Sequence, residues 1–157
     1  MPKSTKKIIN YPLVALRGKV IFPDTVSSFD AGRLISLTAV SRASEREMTL
    51  FVSMQKDPSK DEIGPDDVCA VGTVVKIRQI AKLPSNNLRL TVAGICRAKA
   101  EEIYEEDGCL YANVCELKAV HGDPVLEEAY FRTAQDVMRD IQSSYPRFPK
   151  EAAAVLE

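Results

Sequence analysis

The stretch VGTVVKIRQIAKLPSNNLRLTVAGICR, residues 71–97, decides the fold because a two-residue hydrophobic pattern runs along it, turns and runs back. In its first arm, one face carries Val71, Thr73, Val75, Ile77 and Ala81. The opposite face carries Lys76, Arg78 and Lys82. In its second arm, Leu88, Leu90 and Val92 alternate with Arg89 and Thr91. Each arm is therefore predicted to be a half-buried β-strand.

The residues between the two arms have turn chemistry. They are Pro84, Ser85, Asn86 and Asn87. Proline presets φ, and asparagine tolerates the left-handed region, so the whole stretch is predicted to be an antiparallel hairpin. Gly72 and Gly94 mark positions where a strand bends or another backbone passes close. A long hairpin with two such positions predicts a curled sheet.

Length and composition restrict the class of protein. The 157 residues allow one ordinary domain and an appendage, and 45% hydrophobic with 27% charged residues is typical of a globular protein. The formal net charge of −1 argues against a dedicated binder of nucleic acid or of anionic membranes. No apolar run approaches the roughly 18 residues of a membrane span, and no signal core follows the basic N-terminus, so a cytoplasmic protein is expected.

The spacing of the four cysteines fits neither a zinc site nor a disulfide framework. Cys69, Cys96, Cys109 and Cys115 lie 27, 13 and 6 residues apart. This spacing is unlike that of a paired zinc knuckle or of a small disulfide scaffold. We expect reduced structural thiols and no metal.

The rest of the first 118 residues reads as short strands with one helix among them. Strands are predicted at 8–16, 25–30 and 48–54, with the helix at 33–47 between the second and third. The hairpin continues to residue 104, and a turn at Asp107 and Gly108 leads into a last strand at 109–117. Six strands and one inserted helix predict an α+β domain over 1–118, built on a mostly antiparallel, curled sheet or pseudo-barrel.

The pattern changes completely after residue 118. Asp123 can cap a helix that has Pro124 at its first position. Its apolar stripe is spaced four, four, three and four, and consists of Leu126, Tyr130, Ala134, Val137 and Ile141. Tyr145, Pro146 and Pro149 are predicted to end it. A further helix at 150–156 has room for only about two turns, so residues 119–157 are expected to be the start of a truncated helical subdomain.

A series of short motifs, in this order, resembles the N-terminal domain of the Lon protease family. The motifs of the first half are Pro12 and Leu13, then Val20, Phe22 and Pro23, then Gly32 and Arg33, then Gln55, Lys56 and Asp57. Those of the second half are residues 71–74, residues 77–84, Gly94 and Arg97. Together they cover about 11–117, and the helical tail resembles the linker that follows in full-length Lon. The segment 15–18 departs from the family, because many members place the arginine directly after the Pro-Leu-hydrophobic unit.

The resemblance implies a PUA-like domain for substrate recognition and assembly in an ATP-dependent serine protease of protein quality control. Its partners would be unfolded or damaged proteins, and the full-length protein would be a hexameric hydrolase. ATP and Mg²⁺ would belong to the ATPase part, and a Ser-Lys dyad to the peptidase part. This chain has no phosphate loop and no recognisable nucleophile context, so neither enzyme activity nor a cofactor is expected in it.

Three other candidate sites are outweighed by simpler interpretations. His121 with Cys115 could form a thiol nucleophile pair, but a lone histidine in a loop is usually solvated. A basic strip of Lys76, Arg78, Lys82 and Arg89 could bind RNA, as in PUA relatives, yet alternating cations usually form the wet face of a strand. The acidic run Glu101, Glu102, Glu105, Glu106 and Asp107 lacks the convergent spacing of a metal site.

Two surfaces remain as hypotheses for binding. Phe22 and Pro23, together with Leu83 and Pro84 at the hairpin tip, could form an apolar patch that captures unfolded segments. The alternative for Phe22 is a place in the core. The helical stripe is expected to pack on the barrel of the same chain, on a second copy, or on helices that this sequence does not include. The chain could thus be the binding module of an attached protease, a freestanding adaptor with the same domain, or a PUA-like RNA-binding module.

Overall fold

The computed structural model describes residues 7–145 and 147, and the chain divides into two units, 1–118 and 119–157. The first unit contains six strands and one helix: β1 (Ile8–Leu16), β2 (Val26–Ala31), α1 (Leu34–Ser44), β3 (Thr49–Gln55), β4 (Val68–Lys82), β5 (Leu88–Glu106) and β6 (Cys109–Glu116). The second unit contains α2 (Pro124–Ser144). The predicted helix at 150–156 lies outside the described residues.

The six strands form one sheet in the order β2-β5-β4-β3-β1-β6, and β6 pairs with β5 as well as with β1. The sheet therefore curls back on itself, and β2 lies outside the closed series of pairings. The 19-residue β5 makes this possible. Its edge opposite β4 is shared, since β2 pairs with Leu88–Ala93 and β6 pairs with Ala98–Glu106. The predicted α+β fold with a curled, mostly antiparallel sheet is confirmed, and the parallel pair β1–β3 was not anticipated.

The strands β1 and β3 each contribute side chains to two hydrophobic clusters. Leu13 and Ala15 belong to one cluster, whereas Val14 and Leu16 belong to the other, so both faces of this strand end are buried. Such a strand reads as a continuous apolar run instead of an alternating one. The cluster that contains Val14 also receives α1. The other includes four alanines, Ala15, Ala98, Ala100 and Ala112, whose small side chains allow the strands to close tightly.

The hairpin β4–β5 forms as predicted, including its turn. Asn86 adopts a left-handed φ of 61°, and the N–H of Leu83 donates to the carbonyl of Asn87 at 2.9 Å. Two positions of the predicted inward face, Val71 and Ala81, are exposed. The pairing register shifts between Ile77 and Gln79, and this bulge turns the following residues over. Ile80, and not Ala81, therefore packs against the core.

The helix α1 ends earlier than the sequence pattern indicated, and the next strand begins later. Met48 adopts a left-handed φ of 57°, and its N–H donates to the carbonyl of Ala43 at 3.0 Å. This bond satisfies one of the free carbonyls at the helix end. Met48 is thus part of the helix terminus instead of the first residue of β3.

Gly72 and Gly94 are both sites of close backbone approach, as predicted. A Cβ added to Gly72 would lie 2.3 Å from the carbonyl oxygen of Val52. A Cβ added to Gly94 would lie 2.2 Å from the carbonyl oxygen of Phe22. Any larger side chain would push apart two backbone segments, which explains why glycine interrupts both strands.

In the second unit, α2 has the predicted cap. The Asp123 carboxylate accepts the N–H of Val125 at 2.8 Å, and Pro124 is the first helical residue. Every member of the predicted apolar stripe, defined by Leu126, Tyr130, Ala134, Val137 and Ile141, is exposed. The helix ends at Ser144, and the N–H of Tyr145 donates to the carbonyl of Ile141. Within residues 7–145, no helix has the length and apolar character needed to cross a membrane.

Candidate functional site

The loop between β1 and β2 presents two apolar side chains on either side of a buried one. Ile21 is only 3% exposed and belongs to the core, whereas Val20 and Phe22 are 55% and 56% exposed. Alternating residues of an extended segment point in opposite directions, so burial of Ile21 turns both neighbours outward. Phe22 is therefore a surface residue, and Pro23, which follows it, is half-buried.

Hydrogen bonds fix the backbone of this loop. The buried hydroxyl of Thr73 donates to the carbonyl of Ile21 at 2.6 Å. Further along, the N–H of Asp24 donates to the carbonyl of Gly94, and the N–H of Gly94 donates to the carbonyl of Thr25. These bonds hold the loop on β4 and β5. The backbone conformation that they fix leaves Val20 and Phe22 exposed.

A small apolar groove lies beside Val20. It has a volume of ≈ 250 Å³ and is also lined by Met54 at the end of β3 and by Val71 on β4. Both residues are more than one-third exposed. We call Val20, Phe22, Met54 and Val71 the loop patch. Sequence patterns did not identify Met54 and Val71 as surface residues, because both sit on faces that are buried elsewhere in the same strands.

The structure does not bring the hairpin tip to this patch. Leu83 is half-buried and Pro84 is exposed, and both precede Leu88 at the start of β5. The Phe22 backbone instead packs on Gly94. Gly94 and Leu88 are six positions apart along β5, which corresponds to roughly 20 Å. The four residues predicted as one patch are therefore two separate surfaces.

A comparison with protein families decides the relationship. The model of the ATP-dependent protease La (LON) substrate-binding domain matches residues 10–156. This chain belongs to the Lon substrate-binding domain family.

Curated relatives of this Lon domain are named Lon proteases. The Lon protease of Clostridioides difficile is 41% identical over 106 residues, which are 68% of this chain and 14% of that protein. The Lon protease of Clostridium acetobutylicum is 35% identical over 144 residues, covering 92% of this chain and 18% of the relative. This Lon domain thus spans less than one-fifth of the length of these relatives.

Solved structures share the fold of this Lon domain. The N-terminal domain of the Mycobacterium avium complex Lon protease matches with a TM-score of 0.68 at 15% identity, covering 86% of this chain and 70% of that one. A Lon N-terminal domain protein from Xanthomonas campestris matches with a TM-score of 0.61 at 18% identity, covering 96% and 90% respectively. At such identities the likeness concerns the architecture, and it supports the α+β assignment with a curled sheet.

Two cations of the predicted basic strip are engaged in hydrogen bonds within the chain. Lys76 bonds to the carbonyl of Glu47, and Arg89 is occupied by two hydrogen bonds to Asp30, at 2.7 and 2.9 Å. These bonds lower the pKa of the Asp30 carboxyl and raise the pKa of the Arg89 guanidinium. The bulge after Ile77 also interrupts the regular alternation of the strand, so Arg78 and Lys82 do not follow the spacing on which the prediction is based.

Cys115 and Glu102, two of the sequence-based candidates for a thiol or metal site, contact neighbouring polar side chains. Cys115 is buried, and its Sγ lies 3.2 Å from a Glu101 carboxylate oxygen, whereas His121 is exposed and 3.9 Å from Glu127. Burial raises the pKa of the Cys109 thiol, which keeps it protonated near neutral pH. Glu102 accepts a hydrogen bond from Asn113 at 2.8 Å, and no metal-ligating cluster occurs in the part of the chain that the structure describes.

Proposed function

We propose that this chain is the substrate-recognition part of an ATP-dependent Lon protease and that the loop patch captures apolar segments of unfolded or damaged proteins. The observation that carries the proposal is the exposure of Val20 and Phe22 on a backbone that hydrogen bonds hold in place. Because the backbone is already fixed, the loop loses little conformational entropy on binding. Burial of its exposed apolar side chains then drives association. An unfolded chain supplies the complementary apolar side chains.

Binding, and not bond cleavage, is the role proposed for this part of the protein. The chain contains neither a glycine-rich phosphate loop nor a nucleophile in a recognisable catalytic context. Hydrolysis of ATP with Mg²⁺ and cleavage by a Ser-Lys dyad would belong to the remainder of a full-length Lon. The domain would hold a substrate until those parts act on it.

Replacing Phe22 with alanine should weaken the binding of a permanently unfolded protein, such as reduced and alkylated lactalbumin, about tenfold. A phenylalanine side chain contributes roughly 1.5 to 3 kcal/mol when fully buried, and about half of that area is available here for a ligand to cover. Fluorescence anisotropy of the labelled protein would give the affinity. The stability of the variant should change little.

Val120 provides the control, because it is an apolar side chain that is 95% exposed and is not one of the four residues that define the loop patch. Val120→Ala should bind the unfolded protein as the wild type does. Equal affinity of the wild type and Phe22→Ala would contradict a role for the loop patch in capture.

We further propose that the apolar stripe of α2 supports contacts between copies of the chain, as in the hexamer of Lon proteases. Leu126, Val137 and Ile141 are 51%, 52% and 41% exposed. A helix with such a face gains stability only by burying it against another apolar surface. A second copy of the same helix presents a matching stripe.

Changing both Val137 and Ile141 to lysine should therefore weaken self-association at least tenfold, because two unpaired charges would have to be buried. Sedimentation velocity at increasing concentration would measure it. Glu128→Lys, which changes charge on α2 outside the stripe, is the control. A wild-type chain that stays monomeric at every concentration would refute the proposed contact.

A further inference from the structure

A second concave surface lies between the end of β1 and the outer edge of β2. The cavity has a volume of ≈ 580 Å³ and is lined mainly by residues 14–17 and 28–33; we call it the β1–β2 slot. Pairing of β1 with β6 stops at Pro12, and Leu13–Leu16 pair with β3 alone in the described part of the chain. In the same part, β2 pairs with β5 alone. Each wall of the slot therefore carries a strand edge without a strand partner.

The charges around the slot are strongly unbalanced. Four cations line it, Arg17, Lys19, Arg33 and Arg89, against a single carboxylate, Asp30. Arg89 already holds that carboxylate through two hydrogen bonds, and Arg17 is paired with Asp61 at 2.5 Å. Lys19 and Arg33 are therefore the cations left to attract a ligand. The chain as a whole has a net charge of −1, so this concentration of positive charge is local. A cleft lined by one sign of charge attracts ligands of the opposite sign.

The guanidinium of Arg33, one of these cations, is only partly satisfied by hydrogen bonds. One terminal nitrogen, Nη2, donates to the buried amide oxygen of Gln55 at 2.7 Å. The other, Nη1, is buried and has no hydrogen-bond partner. Burial and then the charge of Arg17 lower the pKa of the Arg33 guanidinium, whereas the charge of Asp61 raises it. A buried donor of this kind costs free energy until an acceptor reaches it.

Lys19 occupies the edge of β2 in the absence of a ligand. Its ammonium group donates to the carbonyl of Ser28 at 2.5 Å, which is an acceptor that a neighbouring strand would otherwise use. The lysine stem is flexible, so the ammonium can move aside when another donor takes the carbonyl. The released charge would then remain beside the ligand.

We propose that the β1–β2 slot binds an extended acidic segment of a protein substrate, with its backbone added to the edge of β2 and a carboxylate paired with Arg33. Edge addition supplies main-chain hydrogen bonds, and charge-assisted bonds to guanidinium supply selectivity. A free inorganic anion would satisfy Arg33 but would leave both strand edges unpaired. This inference rests on the proposed function and adds a second substrate feature, negative charge, at a surface that adjoins the groove of the loop patch through Leu16 and Lys19.

The test compares two labelled octapeptides, one alternating glutamate with valine and the other with glutamine in place of each glutamate. Fluorescence anisotropy at low salt should give at least tenfold tighter binding of the glutamate peptide to the wild type. Arg33→Gln should remove that preference, and added salt should reduce it. Because Arg33 also contacts Gln55, thermal unfolding must be compared, and Lys19→Gln provides a second variant that leaves this contact intact.

Arg78→Gln is the control, since Arg78 is an exposed cation that does not line the slot. It should keep the preference for the glutamate peptide. Equal binding of the two peptides by the wild type would overturn the proposal that the slot binds an acidic segment. A preference that survives both Arg33→Gln and Lys19→Gln would overturn it as well. Neither result would affect capture of unfolded protein by the loop patch, which the Phe22→Ala measurement decides separately.

Discussion

Replacing Gly94 with alanine is expected to destabilise the first unit by about 3 kcal/mol or more, because the new methyl group has no room. It would lie 2.2 Å from the carbonyl oxygen of Phe22 and 3.1 Å from the Cα of Pro23. Both are backbone atoms, which cannot rotate away as a side chain could. Relief would require the loop to lift from β5, with loss of the hydrogen bonds that join Gly94 to Asp24 and Thr25.

Chemical denaturation of the variant and the wild type would measure this loss. Gly64→Ala is the matched control, since the nearest atom to its added methyl group is a side-chain oxygen 3.8 Å away. That variant should remain within about 0.5 kcal/mol of the wild type. A Gly94→Ala protein as stable as Gly64→Ala would mean that the loop does not rest on β5.

Truncation of Phe51 to alanine is the other change with a large expected effect, a loss of about 3 to 5 kcal/mol. The Phe51 side chain is fully buried in β3, and it packs in the cluster that also contains Leu13 and Leu110. Strands surround this site and relax little, so most of the vacated volume should persist as a cavity. The midpoint of urea unfolding would fall, with little change in the slope.

Phe22→Ala serves as the control for the same chemical change at an exposed position. It should alter the free energy of unfolding by less than about 1 kcal/mol, because more than half of that ring already contacts water. If the two phenylalanine variants lost similar stability, the assignment of one ring to the core and the other to the surface would be wrong.

The hairpin could be predicted from the sequence because its signals are local. Alternation in residues 71–82 and 88–92 and the turn residues near Asn86 each act over a few positions. The bulge after Ile77 could not be predicted in this way, since it is defined by which residues of β5 stand opposite. The same holds for the parallel pairing of β1 with β3, which depends on elements that are far apart in the chain.

The candidate sites illustrate the same limit. Val20, Ile21 and Phe22 are all apolar, and nothing within these three residues says which one enters the core. The choice is made by Thr73, whose hydroxyl holds the carbonyl of Ile21 from 52 positions away. Arg33 likewise stands in an ordinary helix-start motif, and its unsatisfied nitrogen is evident only once β1, β2 and Gln55 surround it.

The pairing that closes the curled sheet has a consequence for how the protein is made. Ile8 in the first strand pairs with Cys115 in the last, so β1 lacks this neighbour until more than 100 further residues have been synthesised. At about 5 to 20 residues per second this takes roughly 5 to 20 s. During that time the apolar end of β1 must be kept from other chains, and contacts so distant in sequence also slow folding. A nascent chain of this domain is therefore expected to need chaperone protection at its N-terminal strand.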